Sequence, residues 1–204
     1  MLDVGVVGLD TSHPAKFADI LEERSDATVT AVWDGGDVRD EAHRDAFCDE
    51  YSAIHYETPE QMVETVDAAM ILTVNWDTHY QLSRPFLAAG VPVLIDKPIA
   101  GTLADVQRLG AAARETGTAL FGGSAVPFHP ATASLHETVS DDNQLMLHAG
   151  GYNDPFYYGV HLADTIRRLI GQNWTRVKPN KGPGQSVEVY FEDGSYATIR
   201  LDGA

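Results

Sequence analysis

Six short apolar runs punctuate the first 124 residues, at 2–8, 28–33, 53–56, 67–74, 91–95 and 119–122, and stretches with helical spacing separate them. Runs of this length, bounded by glycine, proline and polar clusters, are strands, and those without polar alternation are buried on both faces. Strands alternating with helices at short intervals specify an α/β fold with a doubly wound parallel sheet. Right-handed crossovers bring every strand-to-helix turn to one edge of that sheet, where open α/β sheets bind ligands. Gly8, Asp34, Asn75 and Lys97 all end strands on that edge.

The helices carry their own start and stop signals. Pro14 suits a first helical position, and the helix it opens is expected to bury Phe17, Ile20 and Leu21. Further helices are expected over 40–51, over 60–66 and up to Gly90, the last burying Leu82, Phe86 and Leu87. Thr102 is placed to cap a helix over 103–115, which Gly117 ends. After residue 124 the alternation stops, so the chain divides into 1–124 and a second, abbreviated α+β domain at 125–204. Pro127 and Pro130 open that part, and a helix follows to about 139. A strand over 145–151 and a helix over 159–170 come next, the helix carrying Leu162, Ile166, Leu169 and Ile170 on its apolar face. Residues 172–186, rich in proline, glycine and lysine, read as a loop, and 186–201 as a hairpin turning at Asp193 and Gly194.

Charge excludes some partners. Acids outnumber bases 30 to 14, for a formal charge of −16. Such a surface is unsuited to nucleic acid or an anionic membrane. It fits a salt-loaded cytoplasm, where screening relieves self-repulsion. No apolar run is long enough to span a bilayer, and the start of the chain enters a strand without a signal-peptide pattern. Cys48 is the only cysteine, so no intrachain disulfide or cysteine cluster is available, and a reducing, cytoplasmic setting is expected. The eight histidines show no metal-ligand spacing, and no metal is expected.

The chemistry concentrates at the strand ends. Val93, Leu94 and Ile95 end abruptly in Asp96, Lys97 and Pro98, which fixes a lone lysine at the carboxyl end of a buried strand. Lys97 is either a ligand-site cation or a solvated lysine in a tight connection. In the first turn Gly8 sits at the bend, but Asp10 and His13 occupy positions where a dinucleotide fingerprint has glycine. A carboxylate at Asp10 repels phosphate and His13 partly offsets it, so a nucleotide turn and a plain buried turn both fit. Asp34, ending the second strand, is placed to accept from a ribose 2′-hydroxyl and to reject a 2′-phosphate; a loop or capping carboxylate is the other reading. His161, Asp164 and Arg168 share one helix face, as a catalytic set or a structural polar face.

In order, the segments 4–8, 32–34, 73–79, 95–100 and 159–164 resemble the glucose–fructose oxidoreductase/inositol dehydrogenase (Gfo/Idh/MocA) family. Asp96-Lys97-Pro98 is similar to that family's Glu-Lys-Pro signature, and residues 8–13 resemble a subgroup lacking the glycine-rich turn. The resemblance implies a Rossmann domain binding NAD, with NADP less favoured, followed by an α+β domain. It implies that Gly8, Asp10, Thr11, His13, Asp34, Thr73, Asn75, His79 and Lys97 line the cofactor. Lys97 would also hydrogen-bond a substrate hydroxyl, and His161 would be the general base. An imidazole suits that task near neutrality. Tyr157 stands where the family often has an aspartate, four residues before the histidine, and Pro127 where it has an arginine.

The function implied is hydride transfer between a nicotinamide and a sugar, polyol or related hydroxy compound. The alternative is a nucleotide- or metabolite-binding chain without turnover. A Schiff-base lysine at a barrel mouth is disfavoured, because six strands and a hairpin are too few for an eight-stranded barrel. Partners are a small-molecule substrate and, since the family's second-domain sheet is a common dimer surface, a second copy of the chain. Given the charge of −16, the melting temperature is expected to rise from low to molar salt; a flat or falling trend in thermal melts would contradict this.

Overall fold

A computed structural model describes residues 1–139, 144–152, 154, 156–181 and 184–202. The chain divides into two compact units, Met1–Gly122 and Gly123–Ala204.

The first unit alternates strands and helices throughout. Its strands are β1 (Leu2–Val7), β2 (Ala27–Trp33), β3 (Ile54–His55), β4 (Ala68–Ile71), β5 (Val93–Ile95) and β6 (Leu120–Gly122). The helices are α1 (His13–Glu22), α2 (Glu41–Tyr51), α3 (Pro59–Met62), α4 (His79–Ala88) and α5 (Leu103–Thr116). All six strands are parallel, in the order β3-β2-β1-β4-β5-β6. The doubly wound sheet is therefore as expected, and its direction of winding reverses between β1 and β4. Val6, Val32 and Leu72 pack on one face with Ala18 of α1 and Phe47 and Tyr51 of α2. Val7, Ile71 and Ile95 pack on the other with Met62, Phe86, Leu87 and Leu109 from α3, α4 and α5.

Local signals explain the boundaries. The Asp40 side chain caps α2 by accepting from the His43 N–H, and Thr102 caps α5 through the Asp105 N–H. Gly117 ends α5 with φ 67°, the left-handed conformation that favours glycine. Two expectations need correction. Helix α3 stops at Met62 instead of continuing to 66, and Ile20 lies 56% exposed while Ala18 and Pro14 take the buried face of α1. The pairing of β1 with β2 slips by one residue: Val4 faces Val29 but Gly5 faces Ala31, so Thr30 is an extra residue. Val29 and Val32 consequently share a face although three positions separate them.

The second unit contains α6 (Pro130–Thr138), β7 (Met146–Tyr152), α7 (Gly159–Leu169), β8 (Trp174–Asn180), β9 (Gln185–Phe191) and β10 (Tyr196–Asp202). Its sheet runs β7-β10-β9-β8, with β7 parallel to β10 and the other pairs antiparallel. Ile166 of α7 is fully buried against Val189, Phe191, Ala197, Ile199 and Leu201. The hairpin of β9 and β10 is as expected. The loop expected over 172–186 is wrong over 174–180, where β8 is a seven-residue strand. Six of its residues are exposed, so no alternation marks it in the sequence; its ladder with β9 holds it. Pro179 is tolerated there because β8 is an edge strand.

Candidate functional site

In the first unit, hydrogen bonds lace together the turns that follow β2, β1, β4 and β5. The Gly8 N–H donates to the Trp33 carbonyl at 2.7 Å. The next amide, Leu9 N–H, donates to Asp34 Oδ1 at 2.8 Å, while Asp34 Oδ2 accepts from Gly36 N–H at 3.3 Å. Asp34 thus positions the first turn, and each of its oxygens keeps capacity for a further donor. Gly8 has φ 94°, and a Cβ there would press on the Thr73 backbone, so only glycine allows the two turns this approach.

Asp10 is the central link. It is only 8% exposed, and its Oδ2 accepts from the Val74 N–H at 2.7 Å across the β1/β4 switch point. Burial pushes its pKa above the ordinary carboxylate value; the Val74 hydrogen bond opposes this, and the nearby charges of Asp34 and Asp37 add to the rise. His13 extends the lacing the other way, its Nδ1 donating to the Asp96 carboxylate at 2.7 Å. The Thr11 hydroxyl accepts from the His13 N–H and shapes the entry to α1.

Lys97 follows Asp96 and is 6% exposed at the carboxyl end of β5. Asn75 is exposed beyond β4, its side chain accepting from the Asp77 N–H, and the Thr73 hydroxyl meets that of Thr78 at 3.1 Å. His79, expected against the cofactor, is fully buried. Its Nδ1 lies 3.1 Å from the Ile99 carbonyl and its Nε2 2.9 Å from that of Thr73. With both nitrogens occupied by protein, His79 serves the site by holding the β4 and β5 loops together.

His161 belongs to the second unit, in the first turn of α7, and is half-buried. Its Nδ1 lies 2.6 Å from Ser124 Oγ. Ser124 is 4% exposed; its N–H donates to Asp164 Oδ2 at 2.9 Å, and its Oγ accepts from the Val126 N–H at 3.1 Å. Gly123 has φ 105°, and a Cβ there would crowd that same Asp164 oxygen. Sequence reasoning missed Ser124, which no spacing links to His161. Asp164 joins the cluster as the anchor of the Ser124 backbone, whereas Arg168 is exposed and Arg167 is the arginine beside Asp164, at 3.8 Å.

Comparison with known proteins accords with this arrangement. The profile of the oxidoreductase family with an NAD-binding Rossmann fold matches residues 2–124, more than half of the chain. The chain belongs to the Gfo/Idh/MocA oxidoreductases. It is 27% identical over 140 residues to 1,5-anhydro-D-fructose reductase of Ensifer adhaerens, covering 67% of this chain and 37% of that one. Among solved structures, GenD2 from gentamicin A biosynthesis in complex with NAD superposes with a TM-score of 0.86 at 20% identity, over 98% of this chain and 65% of that one. Biliverdin reductase from Synechocystis sp. PCC 6803, in complex with biliverdin and NADP+, gives 0.81 at 16% identity, over 100% and 72%. The chain spans about half or less of the length of the curated relatives it matches.

The first unit of this Gfo/Idh/MocA chain fits a dinucleotide in two respects. The Gly8 turn leads directly into α1, where the Ser12 side chain makes no cap and no acid lies in the first turn; Thr11 takes the His13 N–H and Pro14 has none, so a pyrophosphate would meet the amides beyond them. The Asp10 carboxylate is turned to the Val74 amide, which offsets its negative charge.

Because the folded-state pKa of Asp10 is raised, its contribution to stability is present at the low-pH end and is lost as pH rises through the folded value. Asp10→Asn keeps an acceptor for Val74 and removes the buried charge. The variant is expected to match or exceed wild-type stability at neutral pH, within about 1 kcal/mol, and to flatten the dependence between about pH 4 and neutrality. Urea titrations across that range measure both effects.

Proposed function

We propose that this chain is an NAD(P)-dependent oxidoreductase acting on a sugar, a polyol or a related hydroxy compound or its carbonyl counterpart, in the cytoplasm. In this reading residues 1–124 hold the cofactor, and residues 125–204 are a shortened α+β domain for substrate and for pairing with a second copy. The observation that carries it is Lys97, a buried cation on the same sheet edge as the Gly8 turn and Asp34.

A nicotinamide bound at that edge supplies the two-electron exchange with the substrate carbon. The Gly8 turn and the start of α1 take the pyrophosphate, with Thr11, His13, Thr73 and Asn75 shaping the surrounding loops. Asp34 accepts from the adenosine ribose hydroxyls. Lys97 donates to the substrate oxygen and lowers the cost of negative charge on it, and His161 exchanges the proton. The second reading, binding without turnover, draws on the Asp10 carboxylate in the first turn and on Tyr157 in the place of the family aspartate.

NAD is expected to bind more tightly than NADP, since Asp34 would face the 2′-phosphate; equal or tighter NADP binding in calorimetric titrations would remove that role. Lys97→Met and His161→Ala are expected to lower turnover by about 10²–10⁴ while NAD affinity stays within a few-fold of wild type. A panel of polyols, sugars and their keto forms, followed by absorbance of the reduced cofactor, supplies the assay. Full activity in either variant refutes that residue's role. NAD binding with no turnover across the panel favours the second reading.

A further inference from the structure

In the Ser124–His161 pair the surroundings of Ser124 dictate the direction of the hydrogen bond. Ser124 Oγ already accepts from the Val126 N–H, and the residue is 4% exposed. A hydroxyl has one proton to give, and a buried donor without an acceptor is costly. Among the described residues, the acceptor within reach of that proton is Nδ1 of His161, at 2.6 Å. Asp164 receives the Ser124 backbone N–H at 2.9 Å and is not a partner of the hydroxyl, which meets the Val126 N–H and His161 Nδ1.

We infer that Ser124 is a positioning residue for His161, its hydroxyl donating to Nδ1 and holding the neutral ring with its proton on Nε2. The inference rests on the oxidoreductase reading only in giving the ring a reaction to serve. When the ring takes up a second proton, Nδ1–H donates back to Ser124 Oγ, and Nε2–H remains. A neutral ring held in this way would have to change tautomer before accepting a proton at Nε2. A carboxylate in the place of Ser124 has no proton to give and would select the Nδ1–H form.

The test reads the tautomer directly. The full chain is labelled with ¹⁵N-histidine, two-bond ¹H–¹⁵N correlation spectra are recorded above the titration of the ring, and His161 is assigned with His161→Gln. The wild type is expected to show the Nε2–H tautomer, and Ser124→Asp the Nδ1–H tautomer. A wild-type Nδ1–H ring, or a folded Ser124→Asp variant with an unchanged ring, overturns the inference. If Ser124→Asp does not fold, Ser124→Ala carries the test: loss of the donor at Nδ1 should let both tautomers appear, and a wild-type spectrum overturns the inference. A chain with the Nε2–H ring that turns over nothing in either direction refutes the oxidoreductase reading alone.

Discussion

The hydrogen bond from the Val74 amide to the buried Asp10 carboxylate joins the turns of β1 and β4, between which the winding of the sheet reverses. A bond to a charged acceptor contributes about 1.5–3 kcal/mol, and losing the donor would leave the carboxylate buried and uncompensated. The other links depend on the turn that this bond fixes. Leu9 reaches Asp34 on one side and His13 reaches Asp96 on the other, so four adjacent strand ends form one connected rim. Where glycine-rich turns let a backbone approach phosphate closely, this turn spends its side chains on bracing its neighbours.

Three histidines show how partners set roles. His13 faces a carboxylate and acts as a cationic or donating brace. His79 faces two carbonyls and acts as a buried staple. His161 faces a hydroxyl, which accepts from the Val126 N–H and has its own proton to give to the ring. Residue type is the same in each case, and the sequence around each gives no sign of the difference.

Much of the first unit was legible because its signals are local. Apolar runs, the cap at Thr102 and the glycine at 117 each act within a few residues, and the parallel sheet follows from the alternation. The edge carrying Gly8, Asp34, Asn75 and Lys97 was legible for the same reason. What stayed hidden depends on contacts distant in sequence. The Asp34 bond to Leu9 spans 25 residues, the Asp10 bond 64, the Ser124 bond to His161 37 and the His13 bond to Asp96 83. Strand β8 was hidden for another reason: with six of its seven residues exposed, its own pattern carries no signal, and its conformation is borrowed from β9.

The extra residue at Thr30 sets the phase of everything after it in β2. Ala31 and Trp33 pack on one face and Val32 on the other, in a register that an unbroken strand from Ala27 would invert. Removing Thr30 itself would leave Val29 followed directly by Ala31, the residues that already face Val4 and Gly5, so both halves would keep their layers and Asp34 its place at the Leu9 amide. Losing a residue on either side of it would instead turn part of the strand to the wrong layer. The extra residue is thus a tolerance within the core, a place where a single codon can be lost without exchanging inside contacts between the two layers of helices.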